Sequence, residues 1–218
     1  LGAKVGRNAK VAISRDVDRA SQVIFRSFFC GLLASGVDVE DMSVIPIPVI
    51  RQELSMQNRD AGVHIRRSPK KKNDIDIIFI SGDGTDFSVD QARSVEQLYY
   101  RGDFPRASYD EIGILFRPRN IAENYIAKFM KFIDGDLIRS KKLRVVIDYR
   151  FGGAVDVLQP ILSKLGCRVF PVNAYVDTTR ITRTADELQE SLNELGSIVH
   201  TLKADIGFMI DPSGELLS

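Results

Sequence analysis

Twice in this chain an amphipathic helix stops at a glycine and an apolar strand follows at once. Leu32-Leu33-Ala34-Ser35-Gly36-Val37-Asp38-Val39 and Ile161-Leu162-Ser163-Lys164-Leu165-Gly166-Cys167-Arg168-Val169 share that order. Glycine ends helices cheaply because left-handed backbone costs it little. Strands alternating with helices predict an α/β fold, since parallel neighbours need a helical crossover between them. The echo suits two similar α/β/α domains in tandem with mixed, largely parallel sheets. The expected boundary lies near Ser140, giving units 1–140 and 141–218.

Periodicity supplies the remaining elements. Val11 to Ser14 reads as a strand. Arg19 to Ser35 reads as a helix with Val23, Ile24, Phe28 and Leu32 on its apolar face. A strand from Val39 to Ile47, a helix from about Val49 to Met56 and a strand ending at Ile65 follow. A second strand of that pair begins near Ile75. Ser88 is placed to cap a helix running to about Tyr100, with Asp90 and Gln91 in its first turn. Residues 102–118 read as partly extended loop, and Asn120 as the cap of a helix to about Ile133. In the second unit, Leu143 to Asp148 is a strand, Val155 to Leu165 a helix, and Arg168 to Val172 a strand. Thr184 and Glu187 form a possible capping box for a helix from Ala185 to Lys203. Ala204 to Ile210 is the last strand.

A formal charge of +1 gives no global attraction to nucleic acid or an anionic membrane. No apolar run approaches the ~20 residues that span a bilayer. The two cysteines, Cys30 and Cys167, have apolar neighbours and no C-x-x-C spacing, so they read as buried, reduced thiols of a cytoplasmic protein. The opening Leu1 and the ending Gly214-Glu215-Leu216-Leu217-Ser218 suggest a piece of a longer protein.

Three stretches carry more specific information. Residues 62–80 read G-V-H-I-R-R-S-P-K-K-K-N-D-I-D-I-I-F-I, a basic loop between two strands. Earlier stands Ser14-Arg15-Asp16-Val17-Asp18-Arg19-Ala20-Ser21, and late in the chain Lys203-Ala204-Asp205-Ile206-Gly207-Phe208-Met209-Ile210-Asp211. Together they resemble the α-D-phosphohexomutases, the phosphomannomutase/phosphoglucomutase family. In that family a T-A-S-H-N-P-x-x-Y-N-G-x-K segment carries the phosphoserine and a lysine that moves a proton. A G-R-D-x-R-x-S segment precedes it, and A-D-x-G-x-A-x-D-G-D-A-D-R holds a divalent cation on three aspartates. The resemblance implies tandem phosphohexomutase-like domains I and II. It makes Ser68 the counterpart of the phosphoserine and Asp211 the counterpart of one metal-binding aspartate. Arg15, Arg19, Arg66, Arg67, Lys70, Lys71 and Lys72 become candidate anion-binding residues for a sugar phosphate or sugar nucleotide.

The departures from that pattern are chemical. Ser68 lies directly before Pro69, two residues closer than in the family. The following His and Asn are absent, Asp76 stands where the Lys is expected, and Pro212-Ser213-Gly214-Glu215 replaces the other two metal aspartates. Phosphoryl transfer rests on positioning and charge neutralisation. Mg²⁺ prefers near-octahedral oxygen ligation, for which one carboxylate is a poor substitute. The expectation is a catalytically degenerate module with a regulatory, ligand-binding or assembly role and no cofactor of its own. The loop G-V-H-I-R-R-S-P also resembles the mutase-like C-terminal part of bacterial fusion proteins that begin with a mannose-1-phosphate guanylyltransferase. That resemblance implies a GDP-mannose pathway, with a nucleotidyltransferase domain elsewhere in the chain as partner.

Other readings stand beside this one. An active phosphomutase would use Ser68 and Mg²⁺, with further domains supplied elsewhere. A basic-loop binder of nucleic acid is weaker, because no aromatic residues interleave the cations. Read without the resemblance, the loop is a solvated turn, with Ser68 a turn residue before Pro69. His64 reads as a hydrogen-bonding residue at the sheet edge and His200 as a surface residue. Phe151-Gly152-Gly153, between strand and helix, is a possible anion cradle or an ordinary turn. Asp83, Asp86 and Asp90 read as turn and helix-start residues. Exposed helix faces leave a homo-oligomer open, and no membrane partner is expected.

Overall fold

Two sheets, each with a helix packed on either face, organise the described residues. A computed structural model describes residues 1–69, 71, 74–102, 104–178, 180 and 185–218, apart from the side chains of residues 185 and 186. After a one-turn helix α1 (Gly2–Val5), the first unit contains β1 (Lys10–Arg15), α2 (Arg19–Ala34), β2 (Asp38–Val44), α3 (Ile47–Met56), β3 (Ala61–Arg67), β4 (Ile75–Ser81) and α4 (Val89–Arg101). A 3₁₀ turn (Tyr109–Glu111), β5 (Leu115–Phe116), α5 (Ile121–Phe129) and α6 (Gly135–Lys141) lead to the second unit. That unit contains β6 (Arg144–Asp148), α7 (Val155–Lys164), β7 (Arg168–Val172), α8 (Ala185–Leu202) and β8 (Ile206–Met209).

The first sheet has the order β4-β3-β1-β2-β5 and the second β7-β6-β8. Every strand pair is parallel except β3 with β4. Strand alternation decides which helix covers which residues. Val11 and Ile13 of β1 join Phe25 and Leu32 of α2 in one core, while Ala12 joins Ile47, Ile50 and Leu54 of α3 on the opposite face. In the second sheet Val145 and Ile147 face the α7 side and Val146 packs with Leu195 of α8. The two units are joined by an apolar cluster of Val49 from α3, Ile126 from α5, and Val157, Ile161 and Leu165 around α7.

Local signals hold where the chemistry is local. Gly36 and Gly166 follow their helices with φ of 78° and 70°. Ser88 and Gln91 form a reciprocal capping box on α4. Several expectations need correction. On α2, Ile24, Phe28 and Leu32 pack on the core as expected, together with Phe25, but Val23 is 65% exposed. Cys30 is exposed, whereas Cys167 is half-buried; both are free. Asn120 sits at the N-cap of α5 in left-handed geometry (φ 58°) but its side chain caps nothing. The separate helix α6, capped by Asp134, was not expected; Asp134 accepts from the Leu137 amide at 3.0 Å. Thr184, the expected cap of α8, lies outside the described residues. No described helix is long and apolar enough to cross a membrane.

Candidate functional site

The carboxyl ends of β1 and β3 lie side by side, because the two strands are parallel with Arg15 opposite Ile65. Ligands of open α/β sheets bind at such ends. The chain leaving β1 is tied to the chain leaving β3 there. Asp16 donates its amide to the Ile65 carbonyl (3.0 Å). Its carboxylate accepts from the amides of Asp18 (3.0 Å) and Arg67 (2.7 Å). Asp18 caps α2 through the amides of Ala20 (2.7 Å) and Ser21 (3.4 Å), and pairs with the Arg67 guanidinium at 3.3 Å. Burial pushes the Asp16 carboxyl above its ordinary value, opposed by the donors from Arg67, Ser21 and Asp18. Arg15 donates to the Asp16 carbonyl (2.7 Å) and lies 5.9 Å from the centre of the Phe25 ring.

The loop after β8 reaches the same corner. Gly152 allows this approach: a Cβ there would collide with the backbone of Pro212, whose carbonyl oxygen would lie only 2.8 Å away. The residues 151–153 thus form a close-packed turn against the 211–216 loop. Gly152→Ala is expected to cost about 1–3 kcal/mol, because the obstacle is backbone and cannot rotate away. An unchanged denaturation midpoint would refute that packing argument.

Asp211 organises the loop. One carboxylate oxygen accepts from the amides of Glu215 (2.7 Å) and Leu216 (2.6 Å), and the other from the amide (3.0 Å) and hydroxyl of Ser213. Four donors from its own loop therefore occupy both oxygens. The family resemblance implies a divalent cation here, but these residues do not fit one. The single aspartate is saturated, and the described residues contain no group of three metal-ligating side chains.

Arg66 spans the gap between the two loops. It donates to Ser213 Oγ at 3.1 Å and to the Glu215 carboxylate, and lies 3.5 Å from Asp76 across the β3–β4 ladder. Glu215 also approaches Arg51 of α3 at 3.7 Å, and Arg51 pairs with Asp86 at 2.8 Å. Glu215 and the pairing of Arg66 across domains carry no signature in the sequence.

The expected anion-binding residues are thus only partly gathered. Arg15, Arg66 and Arg67 stand at the corner, each engaged with protein groups. Arg19 is exposed on the first turn of α2 and forms no ion pair among the described residues. Lys71 is exposed and pairs with Asp74 at 3.5 Å. Lys70 and Lys72 lie outside the described residues. Ser68 is half-buried, and its amide donates to the Asp74 carbonyl at 2.9 Å.

His64 corrects another expectation. It lies on β3, an inner strand between β1 and β4, and is wholly buried. Its Nδ1 is 2.8 Å from Ser14 Oγ on the neighbouring strand, and Nε2 has no hydrogen-bond partner. Burial first, then the nearby Arg66 and Arg51 charges, pushes its pKa down to about 3. It is a neutral core residue under the corner. His200 is exposed, as expected.

With this geometry in place, similarity to known proteins becomes interpretable. Residues 1–106 match the phosphoglucomutase/phosphomannomutase alpha/beta/alpha domain I model, and residues 123–217 match the domain II model. The chain is 32% identical over 207 residues to a phosphoglucomutase/phosphomannomutase of Thermococcus kodakarensis, covering 94% of this chain and 45% of that protein. It is 34% identical over 209 residues to a probable phosphoglucosamine mutase of Pyrococcus abyssi, covering 94% and 44%. A solved structure of a phosphoglucomutase/phosphomannomutase family protein from Burkholderia thailandensis superposes with TM-score 0.78 at 20% identity, over 96% of this chain and 45% of that one. The chain therefore spans about half the length of the relatives it matches. With two α/β/α units in the order of domains I and II, and matches to both domain models, the chain belongs to the phosphoglucomutase/phosphomannomutase family.

Proposed function

We propose that this chain is a phosphohexomutase-like module whose phosphoryl-transfer centre has been converted into a structural junction. It serves a regulatory, ligand-binding or assembly role in sugar-phosphate metabolism. One observation carries the reading: the counterpart of the catalytic loop and the counterpart of the metal loop are bonded to each other. Arg66 holds Ser213 and Glu215, while Asp211 spends both oxygens on its own loop. A phosphoserine enzyme needs an exposed nucleophile, a nearby base and cations directed at the phosphoryl oxygens. Here Arg66 is directed at carboxylates, and Asp76 occupies the position expected for the proton-moving lysine.

The resemblance of Gly62–Pro69 to the loop of mannose-1-phosphate guanylyltransferase fusion proteins supports a GDP-mannose pathway and a nucleotidyltransferase region as partner. Free cysteines, one of them exposed, fit a reducing cytoplasm. The mutase names carried by relatives up to 34% identical favour a second reading, in which Ser68 still accepts a phosphoryl group.

The test is interconversion of mannose 1-phosphate and mannose 6-phosphate by the full-length gene product, with Mg²⁺ and a hexose bisphosphate, beside Ser68→Ala. The expected result is no turnover, and no phosphate on Ser68 by mass spectrometry. Turnover abolished in Ser68→Ala would establish the active mutase instead.

A further inference from the structure

We propose that the Arg66 guanidinium takes the place of a divalent cation as the positive charge joining the two domains, so that this junction is built without metal. The inference shares the altered centre of the proposed function but concerns what holds the centre together.

The geometry carries it. Carboxylates from two domains meet at one cation. Asp76 belongs to β4 of the first sheet, and Glu215 to the loop after β8, 149 residues from Arg66. The same guanidinium donates to Ser213, whose hydroxyl and amide both donate to Asp211. A relay thus runs from Arg66 through Ser213 to Asp211, the aspartate that resembles a metal ligand. The Arg66 side chain is 11% exposed, and its Nε has no hydrogen bond among the described residues. A cation this far desolvated is held by its partners rather than by water.

Lysine would not serve equally. A guanidinium is planar, fixed in charge and offers several donors in set directions, so one side chain can face Ser213, Glu215 and Asp76 together. A metal would have to displace the Ser213, Glu215 and Leu216 donors from Asp211 before it could bind. The two devices are alternatives: either the loop folds back on its aspartate, or the aspartate faces a metal.

The experiment is thermal unfolding of the full-length protein with EDTA, with Mg²⁺ and with Mn²⁺, in the natural sequence and in Arg66→Gln, Glu215→Gln, the double variant and Asp211→Asn. The natural protein should keep one Tm in EDTA and in either metal. Arg66→Gln and Glu215→Gln should each lower Tm, and the double variant should fall by clearly less than the sum of the two, as expected for contacting partners. If Arg66→Gln does not fold, Glu215→Gln and the metal series still decide. A Tm raised by Mg²⁺ or Mn²⁺ in the natural protein and not in Asp211→Asn would overturn the proposal. So would additive effects of the two substitutions. The readout is stability rather than activity, so turnover dependent on Ser68 would defeat the functional reading without touching this one.

Discussion

Acidification from pH 6.5 toward pH 3 is expected to remove ~4–5 kcal/mol of stability through His64 alone, by conversion of its depressed pKa at about 1.4 kcal/mol per unit. The sign follows from proton binding. In the unfolded chain the imidazole takes up a proton below pH 6.5, while in the folded protein it stays neutral until about pH 3. The unfolded state holds more protons throughout that window, so stability falls as pH falls. Above the window His64 contributes no pH dependence. Asp16 acts in the opposite sense. Its raised carboxyl favours the protonated folded state, so its contribution is largest at low pH and is lost as pH rises through its folded value. The measurement is urea denaturation from pH 3.5 to 7.5 in the natural protein and in His64→Gln. Glutamine can hydrogen-bond Ser14 as acceptor or donor and does not titrate. The two stability curves should run parallel above pH 6.5 and converge below it. Curves parallel over the whole range would mean that His64 is not held neutral by its surroundings.

The second large effect is expected at Asp211. Asp211→Ala should destabilise the protein by about 3–5 kcal/mol, because hydrogen bonds to a charged group contribute roughly 1.5–3 kcal/mol each and those at one carboxylate overlap. Asp211 is 7% exposed and its carboxylate accepts four bonds, so its loss strands three amides and a hydroxyl. Asp211→Asn should fall between the two. Its carbonyl can still serve the Glu215 and Leu216 amides, but its NH₂ would then face the Ser213 amide, donor against donor, while the Ser213 hydroxyl would have to turn from donating to accepting. The consequence extends beyond the loop, because Ser213 and Glu215 are the groups that Arg66 holds. Equilibrium denaturation is the check. A loss in Asp211→Ala within that of an ordinary surface substitution, about 0.5 kcal/mol, would show that the loop keeps its shape without the carboxylate.

The same pair of residues shows why charge alone misled the reading of the loop. Five cations in residues 66–72 suggested an anion site. The Arg66 guanidinium is instead held by Glu215 and Asp76, and the Arg67 guanidinium by Asp18. Asp76 stood only ten residues away and its opposition to Arg66 across the hairpin was open to inference from strand register. Glu215 was not, since nothing local relates it to Arg66. The hydrogen bond expected of His64 is present, but its expected place at the sheet edge fails for a similar reason. Alternation placed it on a strand, but only the sheet order, with β4 outside β3, makes that strand an inner one.

What the sequence determined by itself is therefore the local part. Glycine after a helix, a serine–glutamine capping box and apolar spacing act over a few residues, and they set α2, α4, α7 and the strands between them. The family motifs identified the two domains and the residues worth watching, Ser68 and Asp211. Tertiary structure decided which charges meet, which are buried and which oxygen atoms remain available to a ligand. Those properties depend on desolvation and on distances of a few ångströms between segments as much as 149 residues apart. The physical reason is that backbone preference is a property of neighbours in sequence, whereas the strength and sign of an electrostatic contact are set by whatever the fold brings within reach.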